Sequence, residues 1–415
     1  MNPAAKKSSG ERAAGRRVGV WLVGARGSIA TCVAYGLAGL RANLLEPVGL
    51  VTATEPLSSL PLVPLENLVL AGHDVCNRPL TQSAGELVRH HILDPELVTA
   101  SAAAATAFEA RIRPGILDAA DVGVADLVPE ASRLGALAPR EQIERLRADF
   151  ANFAREADLE RVVVVDIAST EAHREARGEW RSLAAFEAAL DAKIAQPASV
   201  IYAYAALGAG HPFVNFTPSL GASIPALREL AQARGVPHCG NDGKTGETLV
   251  KTVLAPLFVA RRLKVLAWQG YNMLGNRDGE VLNDPLHRES KLRSKNDALR
   301  QLLGDPHVHT KVGIDFVPSL RDWKTAWDYV HFEGFLGAQM SLQFTWQGSD
   351  SALAAPLIID LARLADFAAD AGESGDMPHT ASFFKSPLCG GTHDFHEQFA
   401  RLLEYAEKHA DGKSR

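Results

Sequence analysis

An unbroken apolar run, Val18 to Val23, leads directly into a glycine-bearing turn, Gly24-Ala-Arg-Gly27, and the turn opens onto a stretch of small apolar residues, Ser28 to Leu40. The run reads as a buried strand and the small residues as a helix packed closely on a sheet. A turn of this kind aims several backbone N–H groups at one point, where the helix dipole also favours negative charge. A pyrophosphate suits it. The glycine spacing is looser than Gly-x-Gly-x-x-Gly, with Ala30 available for close helix packing, so a tight structural turn is the other reading. Val48 to Thr54 is predicted as the next strand, which completes a unit of the length used for dinucleotides. Glu55 or Asp74 is then the candidate carboxylate for a ribose, each with an ordinary surface role as its alternative. Arg26 is a candidate to grip a pyrophosphate or a 2′-phosphate.

Further along, Arg161 to Ile167 is an unbroken β-branched run, as in a parallel strand covered on both faces. Ala198 to Tyr204 and Pro212 to Asn215 are read as further strands, with helices predicted over Arg140 to Leu159 and Ile224 to Arg234. The first half is therefore a doubly wound α/β domain. After Gly240 the pattern changes. Lys244 to Leu257 is predicted as an amphipathic helix burying Leu249, Val250, Val253, Leu254 and Leu257. Lys264 to Asn272, His331 to Leu336 and Met340 to Trp346 alternate like half-covered antiparallel strands. Ala352 to Ala369 and Glu397 to Ala410 are predicted helices.

The chain carries 43 basic and 49 acidic residues in 415, so no cationic excess exists for nucleic acid or an anionic membrane. Its 47% hydrophobic content excludes global disorder and supports two or three domains. Four cysteines, Cys32, Cys76, Cys239 and Cys389, lack Cys-x-x-Cys spacing, which argues against a disulfide framework and for a cytoplasmic location. No apolar run reaches membrane length. Residues 1–16 read as a basic disordered tail; a transit peptide is the alternative.

Asn241 to Thr248 contains Gly-Lys-Thr but has His238 where a P-loop needs its first glycine, leaving a second helix-opening turn as an anion site or a plain cap. Gly270 to Gly279 concentrates glycines and asparagines directly after a predicted strand, an arrangement costly to order unless it binds something. Lys291 and Lys295 share a helix face if that segment is helical, and a solvated face is the default reading.

The strings GVWLVGARGS, LVLAGHDV, NDGKTGETLVKT, YNMLGNRDG, ESKLRSK, SLRDWKTAWD, SDSALAAPLIIDL and FFKSP occur in the order of the motifs of the myo-inositol-phosphate synthases. The chain resembles that family, in its compact prokaryotic branch, from about Val18 to Tyr405. The resemblance implies an NAD-dependent isomerase that converts D-glucose 6-phosphate to 1D-myo-inositol 3-phosphate through C5 oxidation, enolisation, aldol closure and re-reduction. It also implies a Rossmann-like doubly wound sheet (residues 17–245 plus 350–415) with an inserted α+β catalytic and oligomerisation domain (246–349). A homotetramer built through the second domain's sheet, with an apolar open face, is expected.

By motif position the resemblance assigns Lys291, Lys295, Lys324 and Lys385 as the catalytic lysines, with Asp242 and Asp322 beside them and Lys291 as the proton shuttle. Thr245, Gly246, Glu247, Thr248, Asn272, Leu274 and Asn276 are implied substrate contacts. Gly24, Ala25, Arg26, Gly27, Ser28, Ile29, Asp74, Ser169, Thr170, Asp242, Asp350 and Ser351 are implied cofactor contacts. Glu247 departs from the glutamine or alanine of many members, and a carboxylate near phosphate needs a lysine or metal to offset it. Part of the family uses a divalent metal, with unknown ligands here. The rival readings are a simple sugar-phosphate dehydrogenase, a cyclase making another carbocycle from a different hexose phosphate, and a non-enzymatic NAD sensor.

Overall fold

The computed structural model describes residues 15–117, 137–275, 279, 299–300, 302–305 and 307–410. Seven parallel strands form the first sheet: β1 (Val18–Val23), β2 (Leu68–Asp74), β3 (Ile112–Pro114), β4 (Arg161–Asp166), β5 (Phe213–Asn215), β6 (Pro237–Cys239) and an edge pair from β11 (Gly375–Asp376). Their spatial order is β11-β6-β5-β4-β1-β2-β3, so the chain reverses direction across the sheet between β1 and β4. That crevice at the carboxyl ends is where doubly wound sheets bind ligands.

Alternation along the central strands sorts the core into two layers. Val20, Leu22, Val163 and Val165 pack toward α1 (Ser28–Arg41) and the helix at Asp350–Asp370, whereas Trp21, Val23, Val162 and Val164 pack toward α2 (Pro139–Glu156) and α3 (Ala198–Gly208). Both faces are covered, which is why these strands read as continuous apolar runs.

Three predicted strands are corrected. Only His331–Glu333 of His331–Leu336 is strand, as the end of Trp323–Glu333, and the chain then turns through Phe335–Gly337 with Leu336 at φ +64°. Val48–Thr54 holds a 3-10 turn over Val51–Ala53, and the second parallel strand is Leu68–Asp74. Gly49 lies at φ +87°, outside strand geometry, and the Asp360 carboxylate captures the Val51 N–H at 2.6 Å, so this backbone is satisfied off the sheet. Ala198–Tyr204 begins α3: Pro197 precedes it, alanines at 198, 203, 205 and 206 favour helix, and burial on every side hides the amphipathic period.

The second sheet has the order β10-β9-β7-β8, from β7 (Lys264–Leu274), β8 (His309–Phe316), β9 (Trp323–Glu333) and β10 (Gln339–Ser349). Helix α4 (Glu247–Ala260) lies against β7, with Ala255 and Phe258 in a core shared with Val265, Trp268 and Val330. The predicted buried face of this helix is wrong. Leu257 is 52% exposed, Leu249, Val250, Val253 and Leu254 are half-buried, and Glu247, Thr248, Lys251 and Thr252 are buried. The inner face is polar because Lys251 ties Glu247 to Asp328 across the interface.

The open face of the sheet is also not simply apolar. Tyr271, Trp327, Tyr329 and His331 stack in a ladder with centroids 6.3 to 6.4 Å apart, and the β10 residues beside them are Ser341, Gln343 and Thr345. From β10 the chain returns through α5 (Asp350–Asp370), which packs on α1, and ends in α6 (Phe395–Ala410). Among the described residues no helix is long and apolar enough to cross a membrane.

Candidate functional site

Gly24 adopts φ +93°, and a Cβ there would stand 2.9 Å from the Ala168 Cα at the end of β4. Only glycine lets the turn after β1 press against β4. Gly27 is the N-cap of α1 and has no side chain with which to cap it. The leading amides of α1, from Ser28 and Ile29, are thus left for a ligand at the positive end of the dipole. This open cradle fits the diphosphate of NAD.

Two neighbours of the turn have structural duties. Asp74 accepts the Arg26 and Cys76 N–H groups, each at 2.7 Å, tying the turn to the end of β2. The Arg26 guanidinium donates to Glu109 and to the Arg78 carbonyl, both at 2.7 Å. An acidic partner therefore shares this guanidinium with any phosphate that it would grip. Glu55 is corrected as a ribose carboxylate, since it is exposed, lies off the sheet and accepts from Ser58 and Ser59. At the end of β4, Ser169 is exposed and Thr170 buried.

At the end of β6 the chain passes through Asn241 to Asp242, which adopts φ +63°. The surroundings over-determine this sparsely populated conformation. Asp242 N–H donates to the Thr217 carbonyl at 2.9 Å, Gly243 N–H to Phe216, Lys385 N–H to the Asp242 carbonyl at 2.7 Å, and Lys244 N–H to Phe383. Asn215 braces the turn through Asn241 and the Ser219 carbonyl. The result aims the Asp242 carboxylate at Lys385 Nζ, 2.7 Å away, while its Oδ2 is buried with no partner among the described residues.

A second cation arrives from the other sheet. Lys324 at the start of β9 sits 3.2 Å from Asp350, which also accepts from the Thr245 hydroxyl at 2.9 Å. Asp322, two residues earlier, accepts from Ser349 at 2.6 Å, Ser351 at 3.1 Å and Ser28. One carboxylate thus joins the α1 turn, the start of α5 and the strand that carries Lys324. Burial pushes the Asp322 carboxyl up to about 6, against those hydrogen bonds and with some repulsion from Asp350.

Helix α4 opens beside this group with Gly246 as N-cap and no side-chain cap. Gly246 is required there because a Cβ would stand 2.5 Å from the Trp346 indole nitrogen. Deeper in the sheet, Leu274 and Asn272 on β7 face the same side as Lys324. Asn272 is 1% exposed, and neither atom of its amide has a partner among the described residues. That is a large penalty unless a ligand satisfies it. The Glu247 carboxylate is held by Lys251, whose Nζ lies 2.5 Å from it and 2.9 Å from Asp328, with Trp268 donating to Asp328. Gly270 leaves the room, since a Cβ there would meet all three charged side chains within 3 Å. The lysine demanded by the Glu247 departure is Lys251.

The structure therefore brings together Ser28, Asp242, Thr245, Asp322, Lys324, Asp350, Ser351 and Lys385. Lys291, Lys295 and Asn276 lie outside the described residues. Sequence reasoning passed over Lys244, Lys251, Asp328 and Asn215. Lys244 was visible inside Gly-Lys-Thr, but its burial depends on α6, 150 residues away in the chain. Among the described residues no group of three or more His, Cys, Asp or Glu side chains forms a metal cluster.

A family model described as Myo-inositol-1-phosphate synthase matches residues 18–406. The chain is 34% identical over 407 residues to Inositol-3-phosphate synthase 1 of Bacteroides thetaiotaomicron, covering 92% of this chain and 91% of that one. It is 30% identical over 370 residues to Probable inositol 3-phosphate synthase isozyme 3 of Arabidopsis thaliana, covering 85% and 67%. The crystal structure of inositol-3-phosphate synthase from Caenorhabditis elegans has the same fold, with a TM-score of 0.85 at 23% identity over 95% of this chain and 86% of that one. The match of nearly the whole chain, together with the identity to the bacterial relative, establishes that this chain belongs to the myo-inositol-1-phosphate synthase family.

Proposed function

We propose that this protein is an NAD-dependent inositol-3-phosphate synthase acting on D-glucose 6-phosphate. The observation that carries the reading is the pairing of two lysines from separate parts of the fold, Lys324 and Lys385, each with its own aspartate, beside an uncapped helix start and the orphaned Asn272 amide. A phosphate dianion and developing oxyanions need fixed cations of this kind.

The turn from Gly24 to Ile29 and the start of α5 at Asp350 and Ser351 would hold NAD, which when bound would supply a hydride acceptor and donor for C5. The chain's own groups do the rest. Lys291 takes the C5 hydroxyl proton, which lets C5 become a ketone and makes the C6 proton acidic. That C6 proton passes to a base in the site as the enolate forms, the enolate carbon attacks C1 to form the ring bond, the C1 oxygen takes up a proton in its place, and Lys291 returns the C5 hydroxyl proton when the ketone is reduced again. Lys295, Lys324 and Lys385 hold the phosphate and offset charge on these oxygens. The N–H groups of Thr245 to Thr248 and the Asn272 amide orient the sugar phosphate. Asp242 and Asp322 position cations, while Asp350 and Ser351 at the start of α5 flank the cofactor. No net oxidation results.

Incubation with glucose 6-phosphate and catalytic NAD tests the reading, with the product identified by NMR. A myo-inositol phosphate formed without accumulating NADH is expected. Stoichiometric NADH would point to a dehydrogenase, and a five-membered ring from fructose 6-phosphate to the rival cyclase. EDTA in the same assay reports metal dependence. We further propose a cytoplasmic homotetramer assembled through the second sheet, supported by its half-buried aromatic ladder with Trp327 exposed.

A further inference from the structure

Every other buried lysine of the described site region has a carboxylate. Lys385 has Asp242, Lys324 has Asp350, and Lys251 has Glu247 and Asp328. Lys244 has none within ion-pairing distance among the described residues. The residue is 3% exposed, and among the described residues Nζ donates to the Gln398 amide oxygen at 2.7 Å and lies 5.7 Å from the centroid of the Phe395 ring. The backbone pairing of residues 242–244 with 383–385 sets Asp242 opposite Lys385 and Lys244 diagonal to it. The charges that bear on Lys244 are Lys385 across the pairing, and Asp394 and His393 on the loop before α6. Burial first, then repulsion from Lys385, lowers its pKa to about 7, with Asp394 opposing.

We propose that Lys244 is a proton-uptake group coupled to anion binding at Lys385, largely an uncharged amine at pH 8 while the site is empty and an ammonium once a dianion sits beside its neighbour. The anion supplies the negative charge that the protein withholds, and solvent supplies the proton. Lys244 acts through the electric field and not by contact, so it is a positioning residue that matches the site's charge to its ligand. Its biological meaning rests on the sugar-phosphate reading given above; its physical content does not.

Sulfate is the suitable probe because it is a dianion with no proton to release near pH 8. In the full chain with ¹³C-labelled lysines, the Lys244 Cε signal, assigned with Lys244→Arg, is expected to titrate near neutrality without ligand. With sulfate the midpoint is expected to rise by about one pH unit or more, tenfold in proton affinity. Calorimetry at pH 8 in buffers of different ionisation heat is expected to show net proton uptake on binding, lost in Lys244→Met and Lys244→Arg. The proposal is overturned if Lys244 stays an ammonium through pH 9 in the empty protein, or if sulfate leaves both its titration and the proton count unchanged. The wild-type NMR result stands even if Lys244→Met fails to fold. A wild type that makes no cyclitol phosphate would defeat the functional reading without touching these measurements.

Discussion

Asp322 works as a carboxylate, because its two oxygens accept from three serines on two segments, the α1 turn and the start of α5, and burial has moved its protonation up to about 6. As pH falls through that value, the added proton removes acceptor capacity and loosens the link between the α1 turn and the strand bearing Lys324. The expected outcome is a drop in kcat/KM of the free enzyme below about pH 6. Asp322→Asn should lose this limb of the profile and lower kcat/KM about 10²-fold at pH 8, the scale of a slight misplacement of reacting groups. An unchanged acidic limb in the variant would show that another group titrates there. Of this site, Asp322 and Lys324 were readable as neighbours in one motif. The Asp242 to Lys385 pair was not, because 143 residues separate them and only the pairing of two loop segments unites them.

At the scale of elements, the α1 turn and α4 differ in how far sequence could carry. The turn is local: strand, glycines and helix are contiguous, so its geometry follows from its residues. Gly24→Ala puts a Cβ against Ala168 at a φ that alanine avoids, and calorimetry is expected to show NAD affinity weakened at least tenfold. Helix α4 buries Ala255 and Phe258 but leaves Leu257 and Val259 exposed, so hydrophobic periodicity assigned the wrong face. What sets the face is the Glu247, Lys251 and Asp328 network, formed with a strand about 80 residues on. Lys251→Met leaves two buried carboxylates without their cation and should cost about 3–5 kcal/mol in urea unfolding. Replacing Glu247 and Asp328 by Gln and Asn in the same background should recover part of that loss. The missed helix α3 has a different origin: total burial erases the periodic signal.

For the whole molecule, two sheets with different jobs meet at the carboxyl ends of the parallel strands. The first sheet supplies the α1 turn and Asp242; the second supplies Lys324, Leu274 and Asn272; α5 joins them through Asp350 and Ser351. The second sheet keeps its other face open, with Trp327 36% exposed in the aromatic ladder. If that face joins subunits, Trp327→Glu should move the mass measured by light scattering from tetramer toward smaller species, and an unchanged mass would place the contact elsewhere. The central claim is that one bound cofactor serves both redox steps while these fixed cations hold the sugar phosphate between them. It is tested most directly by turning over glucose 6-phosphate deuterated at C5 in the presence of excess unlabelled NAD. The account predicts a cyclitol phosphate that keeps its deuterium on the carbon derived from C5, with little label in free NADH. Loss of the deuterium into the free cofactor pool, or an open-chain ketone as product, would contradict it.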